Sequence, residues 1–248
     1  MKSTIAIVGR GRMGTALAAA LSACGHSVTG PLGRGRHDAP AQAGVVLLCV
    51  PDAEIAAAAA AVPPRPGLLV GHCSGATGLD VLAPHEALGL HPLMTVTGPG
   101  ASFAGAGAAV AGTTERAHAT ARALAVSLGM RPFAVADEDR VAYHAAAAIA
   151  SNFLLALEDA AERLAASAGV PREALVPLVR ATVDNWAAQG ASNALTGPIA
   201  RGDEAVVARH RAAVAERAPD VAALYDALAQ ATRTIAAGID ARPAEAAA

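Results

Sequence analysis

Lysine is nearly absent from this chain. Of 19 basic side chains Lys2 is the one lysine, so a proton donor or phosphate ligand in the body of the protein has to be another residue type. Aromatic residues make up 2% and the formal net charge is -2, which excludes the basic face and the stacking platform of a nucleic-acid binder. Cys24, Cys49 and Cys73 have no CxxC spacing and read as reduced thiols of a cytoplasmic protein rather than as disulfides. His72, Cys73 and His85 offer no recognised ligand spacing, so no metal is assigned. Arg10 and Arg12 interrupt the first apolar run, which therefore does not serve as a signal peptide, and no segment approaches the roughly 20 apolar residues of a membrane span. The expectation is a cytoplasmic protein with neither nucleic acid nor membrane as partner.

Apolar and small residues are what the chain has in abundance. Hydrophobic residues are 54% of 248 and the mean hydropathy is +0.39, ample for the core of one large domain or two smaller ones. Residues 5 to 14 read IAIVGRGRMG: four apolar residues of a buried parallel strand, a turn with Gly9, Gly11 and Gly14, then an Ala/Leu helix from Thr15 to Ala23. In a dinucleotide site one such glycine allows the tight turn, one admits the pyrophosphate and one lets helix and strand pack closely. The amides at the helix N-terminus bind phosphate. Gly9, Arg10, Gly11, Arg12, Met13 and Gly14 are therefore the candidate cofactor segment, the alternative being a Gly-rich strand-to-helix turn with no ligand.

The loop after the next short strand, Ser27 to Thr29, selects the cofactor. An NAD site usually carries an acidic residue about 20 positions past the glycines, whereas this loop presents Arg34 and Arg36, whose guanidinium forks suit a 2′-phosphate. NADP(H) is expected and NAD disfavoured; the competing reading is a pair of solvated arginines, with Asp38 approaching a ribose. The run VVLLCV from Val45 to Val50 reads as a strand buried on both faces and stops at Pro51-Asp52, the edge at which ligands of parallel sheets gather. Val50, Pro51 and Asp52 join the cofactor site, as does Ser74 at the next strand end. Gly67 to Val70 followed by His72-Cys73-Ser74-Gly75, and Leu88 to Leu90 followed by His91-Pro92, repeat this pattern, and Ala108 to Ala111 with Pro132 to Val135 finish the sheet. From Asp137 onward the chain reads as helices, punctuated at Gly169-Val170-Pro171, Gly190, Gly197-Pro198 and Ala218-Pro219, the first capped by Asp137 or Asp139 and running to about Ala168. The expected fold is α/β: a Rossmann-like, mostly parallel sheet domain over 1–136, then an all-helical domain over 137–248 that binds substrate and forms a homodimer.

Six segments in order, IAIVGRGRMG, VVLLCVPD, GHCSGATGLDVL, LGLHPL, HAAAAIASNFLLALEDA and LTGPIARGD, span nearly the whole chain and resemble a Rossmann-like family whose C-terminal half is a domain of unknown function. The wider group it is similar to contains the 6-phosphogluconate, ketopantoate reductase, pyrroline-carboxylate reductase and prephenate dehydrogenase enzymes. The resemblance implies an NADP-dependent oxidoreductase acting on a small oxo-acid or imine in the cleft between two domains, with ketopantoate the first substrate to try. Many hydroxyacid dehydrogenases of this group pair a lysine with an asparagine one helical turn later. This chain departs from that pattern, because if Asn152 matches the asparagine, the lysine position is Ala148. LGLHPL is similar to the GxHPM stretch of prephenate dehydrogenases, whose histidine meets the hydroxyl being oxidised, which points to His91, with Ser74 on the matching preceding strand loop.

His91 is thus the first candidate for the exchanged proton, since imidazole titrates near neutral pH, and Ser74, His144 and Asn152 complete the catalytic set. His144 and Asn152 share a helix face but lie about 12 Å apart along it. Each residue has a plainer reading: His91 donating to a backbone carbonyl beside Pro92, Ser74 a turn residue, His144 a satisfied helix histidine, Asn152 an amide bonded to a neighbouring loop. Thr196 and Arg201 are candidate substrate ligands, Arg201 either holding a carboxylate or pairing with Asp203. Two rival functions stand beside the reductase: an NADP-binding sensor or dimeric scaffold without turnover, favoured by the missing lysine, and a prephenate-like dehydrogenase.

Overall fold

The computed structural model describes residues 4–33 and 42–240; Arg34, Arg36 and Asp38 lie outside the described residues. The chain divides into two compact units, Met1–Ser151 and Asn152–Ala248. In the first, strands β1 (Thr4–Val8), β2 (Ser27–Leu32), β3 (Val45–Leu48), β4 (Leu69–His72), β5 (Glu86–Leu93), β6 (Gly107–Gly112) and β7 (Arg131–Phe133) form one sheet in the order β2-β1-β3-β4-β5-β6-β7. Every neighbouring pair is parallel except β5 with β6. Helices α1 (Arg12–Ala23), α2 (Ile55–Ala60) and α3 (Glu115–Ser127) lie between strands in sequence. Strand alternation divides the core: Ile5, Ile7, Val45, Leu47, Leu88 and Leu90 pack with α1 and α3, while Ala6, Val8, Val46, Leu48, Val70 and Ala87 pack with α2. Cover on both faces explains why the strand after Gly44 is a continuous apolar run. It also pins the register, since a one-residue slip would exchange the two faces.

That register builds the rim of the sheet. Val8, Leu48, His72 and Gly89 lie side by side at the carboxyl ends of β1, β3, β4 and β5. Beyond this row Gly9, Cys49 and Cys73 leave the sheet, but β5 runs on to Leu93 against antiparallel β6, with His91 opposite Ala109. His91-Pro92 is therefore strand rather than the loop expected from sequence. Past Gly89 no strand lies on the β4 side of β5, so the N–H that Pro92 lacks interrupts no ladder there.

The chain turns helical at α4 (Arg140–Ala148), passes through a π-helical turn, Ile149–Phe153, and continues as α5 (Leu154–Ala166). The expected unbroken helix is thus interrupted, and neither aspartate caps it: Asp139 makes no capping bond, and Asp137 Oδ1 instead accepts from Arg140 Nε at 2.6 Å. The second unit continues with α6 (Arg172–Ala194), α7 (Glu204–Arg217) and α8 (Ala222–Asp240). One small core cluster there comprises Ala160, Val214, Ala218 and Val221. α6 buries none of its residues and bends at Gly190, φ 75°. Leu178 and Trp186 on α6, and Ile149, Phe153 and Leu155 around the π turn, are all exposed. The 30-residue stretch Asp137–Ala166, with mean hydropathy 1.3 in its most apolar window, is long and apolar enough to cross a membrane. This corrects the expectation that no segment approaches a span: Tyr143, His144 and Asn152 punctuate the sequence without ending the helical run.

Candidate active site

The glycine turn has three separate steric demands. A Cβ on Gly9, whose φ is +114°, would lie 2.1 Å from the Cys49 carbonyl oxygen, and one on Gly14 would lie 2.0 Å from the Gly9 carbonyl oxygen, whereas Gly11 faces open space. Gly9 thus makes the turn, Gly14 lets α1 close on it, and Gly11 leaves room for a ligand. Gly11 also precedes α1 without a side-chain cap, which leaves first-turn amides free for an anion. A groove of about 630 Å³ runs from Gly9, Arg10 and Gly11 past Gly33 to Val50, Pro51 and Glu54. Arg10 donates from Nε to the Pro31 carbonyl at 3.4 Å and packs over Gly33, so its guanidinium stands at the end of β2. Arg12 is exposed on the first turn of α1 and Met13 packs against the core. The Cys49 and Cys73 sulfurs are 3.7 Å apart, and this contact, with burial, raises the Cys49 thiol well above its ordinary range. Cys49 is a wall of the groove rather than a nucleophile.

Ser74 is buried at the end of β4 and its hydroxyl is fully engaged. Oγ donates to Asp52 Oδ2 at 2.8 Å, lies 3.0 Å from Thr77 Oγ1, and accepts from the Ala76 and Thr77 amides at 3.2 and 3.0 Å. His72 Nδ1 accepts from the Ser74 amide at 3.2 Å, so its ring proton sits on Nε2, 3.1 Å from the Gly78 carbonyl. Burial lowers the His72 pKa and keeps that ring neutral. Together these bonds fix the loop 74–78 and hold the exposed Asp52 carboxylate at the rim.

His91 meets no backbone carbonyl among the described residues. Its Nδ1 lies 2.7 Å from the Tyr143 hydroxyl, its ring is edge-on to Tyr143 and, 6.0 Å away, to His144, and Tyr143 is edge-on to Phe133. Burial, followed by the neighbouring His144, lowers His91 to about 4, so the ring is neutral at pH 7 rather than titrating near neutrality. Burial raises the Tyr143 phenol and keeps it protonated. When that phenol donates to Nδ1, the imidazole carries its own proton on Nε2. Gly75 makes room for this end of the ring: a Cβ there would lie 2.9 Å from both His91 Nε2 and His144 Cδ2. Tyr143 is a candidate site residue that sequence reasoning missed. The signal was its position next to His144, in a chain with 2 tyrosines.

The first unit thus brings together Ser74, Asp52, His91 and His144. The other catalytic and substrate residues expected from sequence, Asn152, Thr196 and Arg201, belong to the second unit. Asn152 is exposed on the π turn, and Thr196 and Arg201 are exposed in the loop after α6. Asp203 Oδ1 accepts the Val206 amide at 3.1 Å as the cap of α7 and forms no ion pair with Arg201 among the described residues.

Residues 107–232 match the family model described as Domain of unknown function (DUF2520), and residues 33–97 match a Rossmann-like domain. No curated protein sequence matches the chain. Among solved structures it is similar to a Bacteroides fragilis protein described as a candidate NADP oxidoreductase, with TM-score 0.81 and 21% identity over 94% of this chain and 98% of the other. A Thermotoga maritima protein gives TM-score 0.73 and 22% identity over 94% and 98%. A reductive aminase from Aspergillus terreus, in complex with NADPH and ethyl levulinate, gives 0.66 and 19% over 97% and 99%. At these identities the likeness establishes the fold. The family match begins at β6, ends within α8 and takes in more than half the chain, and the protein therefore belongs to the DUF2520 family, with a Rossmann-like N-terminal unit.

Proposed function

We propose that this chain is an NADP(H)-dependent oxidoreductase that moves hydride between the nicotinamide and a small oxo-acid or imine, with ketopantoate the first substrate to try. The observation that carries this reading is the shared rim, where one strand register sets the glycine turn and its groove beside a cluster of Ser74, Asp52, His91, Tyr143 and His144. Gly9, Gly11, Gly14 and the uncapped start of α1 suit a pyrophosphate. Arg10 at the end of β2, with Arg34 and Arg36 following in sequence, suits a 2′-phosphate. The NADPH held by the Aspergillus terreus neighbour supports the same cofactor. When bound, that cofactor supplies or accepts the hydride.

The proton is the protein's part of the reaction. A neutral His91 donates from Nε2 to the oxygen or nitrogen that gains charge on reduction, while Nδ1 takes the proton of Tyr143; the ring exchanges tautomers without becoming a cation. The charge left on the phenol is stabilised by Arg140, whose proximity favours the ionised tyrosine. Ser74 holds Asp52 and the loop that bounds the site. An NADP-binding protein without turnover is the second reading, favoured by the single lysine and by the lack of a cationic acid at His91. NADPH consumption against a panel of oxo-acids and imines separates the two: tight NADPH binding with no consumption across the panel supports the sensor.

The exposed apolar side chains from Ile149 to Trp186 support a homodimer formed through residues beyond about 137, because faces of this extent are normally covered. Sedimentation at micromolar concentration should give the dimer mass, and a monomer would reject it. For the cofactor, replacing Arg34 and Arg36 together with Ala should weaken NADPH binding by about 1 to 3 kcal/mol, the range for charged hydrogen bonds, and leave NADH nearly unchanged. Equal losses for both cofactors would remove the 2′-phosphate assignment. For the proton, His91→Asn should lower turnover by about 10²-fold or more with NADPH affinity retained, and Tyr143→Phe should act in the same direction. Wild-type activity should show no acid limb near pH 6.5. Full turnover by His91→Asn with an unchanged pH profile would pass the role to another group.

A further inference from the structure

Among the described residues of the first unit, Arg140 is the buried arginine. It is 4% exposed at the start of α4, whereas the next residue, Val141, is 71% exposed, so the helix turns the guanidinium inward. Its Nε is committed to Asp137 Oδ1 at 2.6 Å, and Asp137 is itself a mostly solvent-exposed carboxylate. Nη1 and Nη2 make no hydrogen bond among the described residues. A guanidinium carries five donors in a planar fork and is not deprotonated in proteins, so burying it with its outer edge unmatched is unfavourable unless that edge is reserved for an acceptor.

The helix sets what lies beside that edge. Residues three and four apart share a helix face, which puts Arg140, Tyr143 and His144 on one face of α4, and both Tyr143 and His144 contact the His91 ring. The Arg140 charge is felt at His72, His91 and Tyr143. The glycine turn at β1 lies three strand spacings from β5, roughly 14 Å at about 4.8 Å per spacing, and has its own amides and Arg10 for phosphate. The free edge of Arg140 thus belongs with the His91 end of the rim, where the reacting carbon of a substrate would lie.

We infer that the Nη edge of Arg140 binds a carboxylate of the substrate and is the feature by which the His91 site selects acids over uncharged carbonyl compounds. The inference rests on the oxidoreductase reading for the word substrate, and a fork of two parallel N–H donors is the geometry that matches a carboxylate. Arg201, for which the sequence left open a carboxylate or a pairing with Asp203, stays exposed.

Oxamate, a carboxylate that is not reduced, and oxamide, its uncharged counterpart, provide a test that needs no turnover. Titrated calorimetrically into the full chain loaded with NADPH, oxamate should bind at least about 10-fold more tightly than oxamide, in line with charge-assisted hydrogen bonds. Arg140→Gln should abolish that preference while leaving NADPH and oxamide affinity unchanged, and Arg140→Lys should keep part of it. Asp137→Asn retains the guanidinium and should bind oxamate at least as well as wild type, which keeps the inference testable if Arg140→Gln does not fold. Equal affinity of wild type for oxamate and oxamide, an undiminished preference in Arg140→Gln, or a loss of NADPH rather than oxamate affinity in that variant would overturn it. The last outcome would give Arg140 to the cofactor. Oxamate binding without turnover of any carbonyl compound would defeat the oxidoreductase reading and leave this inference in place.

Discussion

The close approach of the Gly9 backbone to the Cys49 carbonyl is the constraint on which the rest of the first unit depends. The place of a Cβ on Gly9 is taken by the carbonyl oxygen of the neighbouring strand end, and that of Gly14 by the carbonyl oxygen of Gly9. Only with both side chains absent does α1 start directly above the end of β1, with its free amides over the groove. Because β1, β3, β4 and β5 are in parallel register, placing this turn also places Cys49, Ser74 and His91 relative to it. Backbone geometry, more than any side-chain bond, fixes the distance between the glycine-turn groove and the cluster of Ser74, His91 and Tyr143.

Electrostatics then set the character of that cluster. A histidine in water would be partly cationic near neutrality, but His91 is desolvated and lies beside another histidine and the reach of Arg140. The folded state disfavours its cation, so as pH falls below the ordinary imidazole range the unfolded chain takes up this proton first, and the contribution of a neutral His91 to stability is lost between about pH 6.5 and its folded value. His72 has the same sign for the same first cause. The site thus keeps His72 and His91 neutral, and a neutral ring moves a proton by accepting on one nitrogen and donating from the other.

The sheet and its rim were legible in the sequence because strands covered on both faces are continuous apolar runs that stop at polar or turn residues. Val45 to Leu48 and the glycine turn follow this rule. The end of β5 was not legible, since Pro92 signals a loop unless one knows that β6 supplies the only neighbour there. Tyr143 and Arg140 escaped for a related reason: their importance comes from contacts or charge acting across about 50 residues of sequence, and a basic residue opening a helix ordinarily reads as solvated. The chain after Asp137 was legible as helix, but its π turn was not, because hydrophobic periodicity carries no mark of one inserted residue.

The proposed role of His91 joins the cofactor groove to the chemistry, and NMR of its imidazole Cε1 proton reads the state of the ring directly. The resonance is identified by its disappearance in His91→Asn and followed from pH 3.5 to 8, a window chosen to bracket both the ordinary imidazole value of about 6.5 and the lowered one, with and without saturating NADPH. The expected result is a ring that stays neutral through pH 6 and titrates at about 4, with a resonance at pH 7 that moves when NADPH is added. Titration near 6.5, or a resonance indifferent to saturating NADPH, would contradict a neutral His91 working at the nicotinamide end of the groove.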